Sequence, residues 1–321
     1  MGSIGIDVGG TKTLFVLFDQ RFKAVDEIKV KTHDSRNSAD FAGVIAESLK
    51  ILIKKAKRTG IILQGIGSGC AGSLTREGNI KESLNIPFLK GFSFRSVISK
   101  QIHTNVSLLN DVDAGLYGEH QLGAAKGRRN VIGIFVGTGI GGALIIDGKL
   151  YRGANSTAGN IGHYFVFPAG PRSDFEADST LNDVASGTAI AGAAATLAAR
   201  KLAPHLLKLS GTDVQNVTND ILAEAIAKGD QWIEKLVRSR CHILGIILSN
   251  LVDFLNPEMI VLGGGLTKAM PAIVRAEVEA GIRAHSTSDA TKNLEVVVAK
   301  LKDRAVAAGA AKFATQPYNA A

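Results

Sequence analysis

Cysteine is scarce in this chain of 321 residues, which contains only Cys70 and Cys241. Two cysteines are too few for a disulfide framework, and too few for a zinc cluster unless several histidines contribute. No stretch approaches the roughly 20 consecutive apolar residues that a membrane helix requires. The N-terminus lacks the basic and then apolar layout of a signal peptide. These absences predict a cytoplasmic globular protein without a membrane partner.

The chain contains only 7 prolines, and 21% of its residues are charged while 45% are hydrophobic. A disordered chain would have a higher proportion of proline and charged residues and a lower proportion of hydrophobic ones. A chain longer than about 250 to 300 residues usually divides into more than one core, which predicts two lobes. The net charge of +8 raises the possibility of nucleic-acid binding. However, the charges are dispersed, and "KKAKR" at 54–58 is better interpreted as a cationic helix end. We therefore expect no nucleic-acid partner, although the positive charge favours anionic substrates.

Hydrophobic periodicity predicts an α/β protein with a repeated plan. Residues 3–7, 13–19 and a stretch from 24 predict a β-meander, and a helix follows from Ser38, with Ser38 or Asp40 as its cap. "NVIGIFVGTGIGGALIIDGKL" at 130–150 repeats the opening layout of strand, glycine turn and strand, which indicates an internal duplication. Further helices are predicted near 186–200, 214–227 and 230–255, then a strand before "GGG", a strand in "LEVVVAK" and a helix from about 303.

Glycine turns punctuate both halves. "GGT" at 9–11 and "GTGIGG" at 137–142 each join two predicted strands, and "GGG" at 263–265 follows a late strand. Glycine can adopt positive φ and form a concave nest of amides, which predicts phosphate-sized anion sites. An ordinary tight hairpin would explain either turn alone.

These pieces together resemble the ROK sugar kinases of the actin-like ATPase superfamily, from residue 4 to about 316. The most specific motifs are "DVGGTKT", "LLNDVDAGLYGE", "FVGTGIGGALIIDGKLYRGANSTAGNIGH", "VASGTA" and "NPEMIVLGGGL". The resemblance implies two actin-like (ribonuclease H-like) α/β lobes, each a mixed β-sheet with helices, and a ligand cleft between them. The expected divisions are an N-terminal lobe over 1–117, a C-terminal lobe over 118–302, and a helix over 303–321 that packs back on the N-terminal lobe. A homodimer is also implied.

The resemblance further implies ATP and Mg²⁺ as cofactors. Asp7 would orient Mg²⁺ through water. The residues expected to contact the nucleotide are Gly9, Gly10, Thr11 and Lys12 in the first turn, Gly137, Thr138 and Gly139 in the second, and Gly263, Gly264 and Gly265 in the third. The alternative for the third turn is an ordinary helix start.

Asp111 is the expected general base, because the motif places a carboxylate where it can take a proton from a sugar hydroxyl. Asn110 would hold a neighbouring hydroxyl. Alternatively, Asn110 and Asp111 cap the next helix, whose dipole would keep the Asp111 carboxylate ionised. Asn85 matches a position that lines the sugar pocket, or is a turn residue before proline.

One segment departs from the family pattern. In many relatives a Glu and a His bind sugar hydroxyls, the same His binds zinc together with three Cys, and a second Glu follows. Here Asn160 and Asn182 occupy the Glu positions, and only His163 survives of the zinc ligands; Ser173, Phe175 and Thr180 replace the cysteines. We therefore predict no structural zinc. Packing of Tyr164, Phe165, Phe167 and Phe175 is expected to hold the loop, and His163 to bond the sugar.

Amides in place of carboxylates both donate and accept hydrogen bonds, which alters the substrates that can be bound. The expected order is glucose or another simple hexose, then an amino or acetamido sugar, then a sugar acid. ATP is the expected donor and polyphosphate the alternative. Two other functions stay open. One is a sugar-responsive regulator, against which we expect no room for a DNA-binding module before the first strand; the other is a binding protein without turnover.

Overall fold

The computed structural model describes residues 1–75, 79–83, 86–166 and 179–316. Its strands are β1 (Gly2–Val8), β2 (Lys12–Asp19), β3 (Ala24–Lys31), β4 (Leu63–Cys70), β5 (Ser73–Leu74), β6 (Ile80–Glu82), β7 (Asn105–Asn110), β8 (Val131–Val136), β9 (Ile140–Ile146), β10 (Lys149–Tyr151), β11 (Phe165–Val166), β12 (Ser179–Thr180), β13 (Met259–Gly263) and β14 (Glu295–Val298). Its helices are α1 (Ser38–Arg58), α2 (Phe94–Ile98), α3 (Asp111–Leu122), α4 (Leu181–Ala185), α5 (Gly187–Ala199), α6 (Pro204–Ser210), α7 (Asn219–Ala227), α8 (Gln231–Leu255), α9 (Gly264–Ala269), α10 (Pro271–His285), α11 (Ser288–Thr291) and α12 (Ala305–Ala314). None of the described helices combines the length and apolar character needed to cross a membrane.

Two five-stranded mixed sheets follow the same plan. Their strand orders are β3-β2-β1-β4-β7 and β10-β9-β8-β13-β14. In the first sheet, β1 lies between its hairpin partner β2 and the parallel strand β4. In the second sheet, β8 lies in the same way between β9 and the parallel strand β13. The repeated order confirms the predicted α/β class and the predicted duplication.

Helix α1 covers one face of the first sheet. Its residues Phe41, Ile45 and Leu49 are buried in a cluster that also contains Ile4 and Ile6 of β1. Such spacing along a helix places apolar side chains on one face, as the periodicity predicts. The helix ends at Arg58, which confirms the interpretation of the basic run as a helix end.

The predicted cap of α1 is wrong by one residue or more. Asn37 is extended, with φ of −155°, and its side chain accepts the N–H groups of Ala39 and Asp40, each at 2.9 Å. Asn37, Ser38 and Asp40 are all residue types that favour caps, so type alone did not decide between them.

Helix α12 lies directly on the opposite face of the first sheet. A Cβ at Gly5 of β1 would overlap the carbonyl of Ala307, and a Cβ at Gly67 of β4 would overlap that of Ala310. Glycine within a strand often marks such a close approach of another backbone. The strand glycines therefore allow the helix to reach the sheet.

Tertiary contacts divide the chain into two compact units. The first unit contains residues 1–129, 143–158 and 299–321, and the second contains 130–142 and 159–298. In the second unit, Gly245 of α8 and Gly281 of α10 allow these helices to pack closely, since a Cβ at Gly245 would overlap the carbonyl of Val278. The lobe boundaries expected at residues 117 and 302 stay predictions.

Candidate active site

The turn between β1 and β2 presents unpaired backbone amides. The N–H of Gly9 donates to the carbonyl of Lys12 at 3.0 Å, and the carbonyl of Thr11 accepts the N–H of Thr32 at 3.0 Å. In the part of the chain that the structure describes, the N–H groups of Gly10 and Thr11 have no acceptor. Neighbouring unpaired amides are suited to an anion. This turn, in the first unit, can therefore bind phosphate oxygens.

The expectation that the turn glycines adopt positive φ is wrong for the first two turns, although Gly264 in the third turn has φ of +89°. Gly9, Gly10, Gly137 and Gly139 are all outside the left-handed region. At two of these positions, limited space favours glycine instead. A Cβ at Gly9 would lie 3.1 Å from the carbonyl oxygen of Lys12, and one at Gly139 would lie 3.3 Å from the side-chain oxygen of Asn182.

Two carboxylic acids lie at the same edge of the first sheet. Asp7 is near the end of β1, and Asp111 follows β7 directly; the parallel strands between them pair Asp7 with Gly69 and Gly69 with Leu109. The pKa of Asp7 is raised to about 7, chiefly by burial and then by the Asp111 charge, while Lys12 acts in the opposite direction. In the described residues, the Asp7 carboxylate accepts no hydrogen bond, so its oxygens are available to a ligand.

Asp111 is the first residue of α3, and part of its surface stays exposed. Burial raises the pKa of this carboxyl, while the backbone N–H groups of Val112 and Asp111 and the side chain of Asn110 lower it. The hydrogen bonds at the start of α3 thus favour the ionised form, as the helix position suggests, while burial opposes it. A raised pKa makes the ionised carboxylate a stronger base.

Asn110 is the N-cap of α3. Its side-chain oxygen accepts the N–H groups of Val112 at 2.9 Å and Asp113 at 3.4 Å, and its Nδ2 donates to the carbonyl of Gly72 at 3.1 Å. The predicted helix cap is thus confirmed. One amide hydrogen of Asn110 is left for a substrate hydroxyl.

A buried ion pair beside these acids was missed in the sequence. Asp113 has a side chain that is 5% exposed, and its Oδ2 lies 3.4 Å from Nε of Arg152. The net pKa of Asp113 is raised to about 7, because burial outweighs the opposing effect of Arg152 and the Asp111 charge adds to it. Its position in the first turn of α3 could have marked Asp113 as a candidate site residue. Nothing in the sequence indicates that Arg152 is its partner.

We expect Asp113→Asn to become increasingly stable relative to the wild type as the pH rises from about 4 to about 7. The folded pKa of Asp113 lies above the usual value of about 3.9, so the wild type loses up to about 1.4 kcal/mol of unfolding free energy per pH unit in that window. The amide does not titrate. Urea unfolding of both proteins at pH 5 and pH 8 measures the difference, and a difference independent of pH would contradict the prediction.

The turn between β8 and β9 also presents unpaired amides. The N–H of Gly137 donates to the carbonyl of Gly139 at 2.8 Å. Thr138 and Gly139 are exposed, and their N–H groups have no acceptor among the described residues. The second unit thus offers a second surface of the kind that suits phosphate oxygens.

The segment around His163 packs beside this second turn. Asn160 and His163 are exposed at either end of a single helical turn, and the N–H of His163 donates to the carbonyl of Asn160 at 3.2 Å. A Cβ at Gly162 would overlap the carbonyl of Ile140. The structure therefore brings both predicted sugar residues close to residues 137–140.

The expected packing of the four aromatic residues stays a prediction, because the structure describes only two of them. Tyr164 is 45% and Phe165 is 58% exposed. Phe167, Ser173 and Phe175 lie outside the described residues, as does Asn85. Of the three residues at the cysteine positions of the family, the structure describes Thr180, whose hydroxyl donates a hydrogen bond to Asp183 at 2.7 Å. The absence of zinc stays a prediction.

Close packing accounts for the third glycine turn. Gly264 begins α9 with φ of +89°, and a Cβ there would overlap the backbone of Val136. A Cβ at Gly263 would lie 2.6 Å from the ring of Phe135, and one at Gly265 would lie 2.8 Å from Nδ2 of Asn219. A nucleotide role for these glycines is thus an addition to a structural one.

A protein-family model described as the ROK family matches residues 3–317. The chain belongs to the ROK family. Its relatives include a glucokinase of Halalkalibacterium halodurans, 29% identical over 85% of this chain and 82% of that protein. An N-acetylgalactosamine kinase of Shewanella sp. is also 29% identical, over 87% of this chain and 88% of the relative.

Solved structures support the same assignment. A ROK family glucokinase from Streptomyces griseus, in complex with glucose and AMPPNP, superimposes with a TM-score of 0.82 and 25% identity, over 99% of this chain and all of that one. The fold is therefore the two-lobed actin-like kinase fold. A xylose repressor of Caldicellulosiruptor bescii is also similar, 26% identical over 95% of this chain and 76% of that protein.

In this ROK protein the predicted residues fall into two groups. The first unit holds Asp7, residues 9–12, Asn110 and Asp111, and the second holds residues 137–139, Asn160, His163, Asn182 and residues 263–265. The sequence interpretation missed Arg152, Asp113 and Thr188, whose partners are distant in the chain.

Proposed function

We propose that this ROK protein is an ATP-dependent sugar kinase, with Asp111 as the general base. The observation that carries the proposal is the pair of partly exposed acids, Asp7 and Asp111, at one sheet edge in a chain with unpaired amides in both hairpin turns. Membership of a family with sugar-kinase relatives supports it.

The reaction assigns a task to each group. Asp111 accepts the proton of a sugar hydroxyl while the oxygen of that hydroxyl forms a bond to the γ-phosphorus of ATP. The bond between the γ-phosphorus and the oxygen that bridges the β and γ phosphates breaks, and ADP departs. The unpaired amides of the two turns, with Lys12, would stabilise the charge on the transferred group and the leaving phosphates. Asn110 would hold a neighbouring hydroxyl.

Magnesium suits the residues present. Mg²⁺ is usually held by one or two carboxylates together with water and substrate phosphates. Asp7 supplies such a carboxylate, and no protein donor occupies it in the described residues. Mg²⁺ bound there, through water, would neutralise phosphate charge.

The residues proposed to bind the sugar lie in both units. Asn160 and His163 are exposed beside the second turn and would bond sugar hydroxyls. Asn85 would add a further contact, and residues 263–265 would adjoin the adenosine. We propose glucose or another simple hexose first, then an amino or acetamido sugar, then a sugar acid; polyphosphate is the alternative donor.

We expect ADP release with at least one sugar when a panel of hexoses, amino sugars, acetamido sugars and sugar acids is tested with Mg-ATP. The same panel with polyphosphate, scored by sugar phosphate formed, distinguishes the donors. Calorimetry of each sugar without nucleotide is the companion measurement. Sugar binding without turnover would contradict the kinase proposal and favour a regulator or a binding protein instead.

A further inference from the structure

Helix α5 fixes the carbonyl groups of the second glycine turn. The N–H of Gly187 donates to the carbonyl of Gly137 at 2.9 Å, and the hydroxyl of Thr188 donates to the carbonyl of Thr138 at 2.9 Å. Carbonyl oxygens carry partial negative charge and would repel a phosphate. Because the helix engages both of them, the polar groups that the turn leaves unpaired among the described residues are hydrogen-bond donors, the N–H groups of Thr138 and Gly139 together with the Thr138 hydroxyl.

Asn182 of α4 fixes the end of the same turn. Its Oδ1 accepts the N–H of Ile140, a buried residue, at 2.8 Å. A Cβ at Gly162 would lie 2.6 Å from Oδ1 and 2.8 Å from Nδ2 of Asn182, so the carboxamide is confined on that side as well. Helix α4 is itself anchored, because Asp183 accepts the backbone N–H of Thr180 at 2.9 Å and its hydroxyl at 2.7 Å.

We propose that Asn182 is a positioning residue of the nucleotide site, which orients the amides of the second turn toward the phosphates. Its oxygen already accepts the N–H of Ile140, which ties the carboxamide to the turn. Thr188 contributes in the same way from α5. This inference rests on the proposed function, since it takes the second turn to bind nucleotide phosphates.

The test is direct binding of Mg-AMPPNP by calorimetry in the absence of sugar. We expect Asn182→Leu, which removes the acceptor at similar volume, to raise the Kd for Mg-AMPPNP about tenfold. Thr188→Val should raise it about threefold. Thr196→Val is the matched control, because the Thr196 hydroxyl bonds the Gly192 carbonyl within α5, away from the turn; its Kd should stay within twofold of the wild type.

Sugar binding without nucleotide, measured with the sugars that the wild type binds, is the second readout. The Kd for sugar should stay within threefold in Asn182→Leu. An unchanged Kd for Mg-AMPPNP with a tenfold rise in the Kd for sugar would overturn the inference and make Asn182 a sugar ligand. Asn182→Ser, too short to reach Ile140, repeats the test if the leucine variant does not fold. A wild type that binds Mg-AMPPNP but phosphorylates no sugar contradicts only the kinase proposal.

Discussion

Asp111→Asn is expected to lower kcat by about 10²- to 10⁴-fold, the range that general-base catalysis contributes. The amide has nearly the same shape and keeps α3 intact, but it cannot accept the hydroxyl proton. Burial raises the pKa of Asp111, so removing its charge should not weaken the fold at neutral pH. ADP release under saturating sugar and Mg-ATP measures the effect.

Asp220→Asn provides the matched control. Asp220 also lies in the first turn of a helix, α7, and it is exposed. Its kcat should stay within twofold of the wild type. If Asp111→Asn retains more than a third of the wild-type kcat while its affinities for sugar and nucleotide are unchanged, Asp111 is not the base.

Gly67→Ala should destabilise the protein more than any surface substitution, by about 3 kcal/mol or more, beyond the usual range for an overpacked core. The added Cβ would overlap the carbonyl group of Ala310 in α12. The new Cβ is fixed to the backbone of β4 and would meet backbone atoms of α12, so no side-chain rotation can relieve the clash. The unfolding free energy from urea titration, with the soluble yield, is the measurement.

Gly43→Ala is the control for that substitution. Gly43 lies within α1, and a Cβ there meets nothing within 4 Å. Alanine in a helix is favoured over glycine by about 0.5 to 1 kcal/mol, so this variant should be slightly more stable than the wild type. Equal stabilities of the Gly67 and Gly43 variants would show that α12 does not lie against β4.

Local patterns in the sequence predicted the elements that short-range chemistry determines. The strands of the opening meander, α5, α8, β13 and β14 lie where alternation and helical periodicity place them. The predicted helix near 214–227 is shorter, since α7 begins at Asn219 after a separate helical turn over Val214–Asn216. Thr218 caps α7 by accepting the N–H of Ile221, a local choice that apolar spacing does not reveal.

The relations that shape the candidate site could not be predicted in this way. Asn182 and Ile140 are 42 residues apart, and Thr188 and Thr138 are 50 apart. Such pairs depend on how elements pack, which periodicity does not encode. Asn182 was therefore predicted from the family pattern as a sugar residue, although its nearest hydrogen-bond partner is the backbone of the second turn.

The position of α12 in the chain has a consequence for synthesis. Residues 305–314 cover the glycine-lined face of a sheet whose first strand is made some 300 residues earlier. A ribosome adding roughly 5 to 20 residues per second leaves that face uncovered for tens of seconds. Because α12 belongs to the first unit but follows the residues of the second, the first unit can be completed only after the second has emerged.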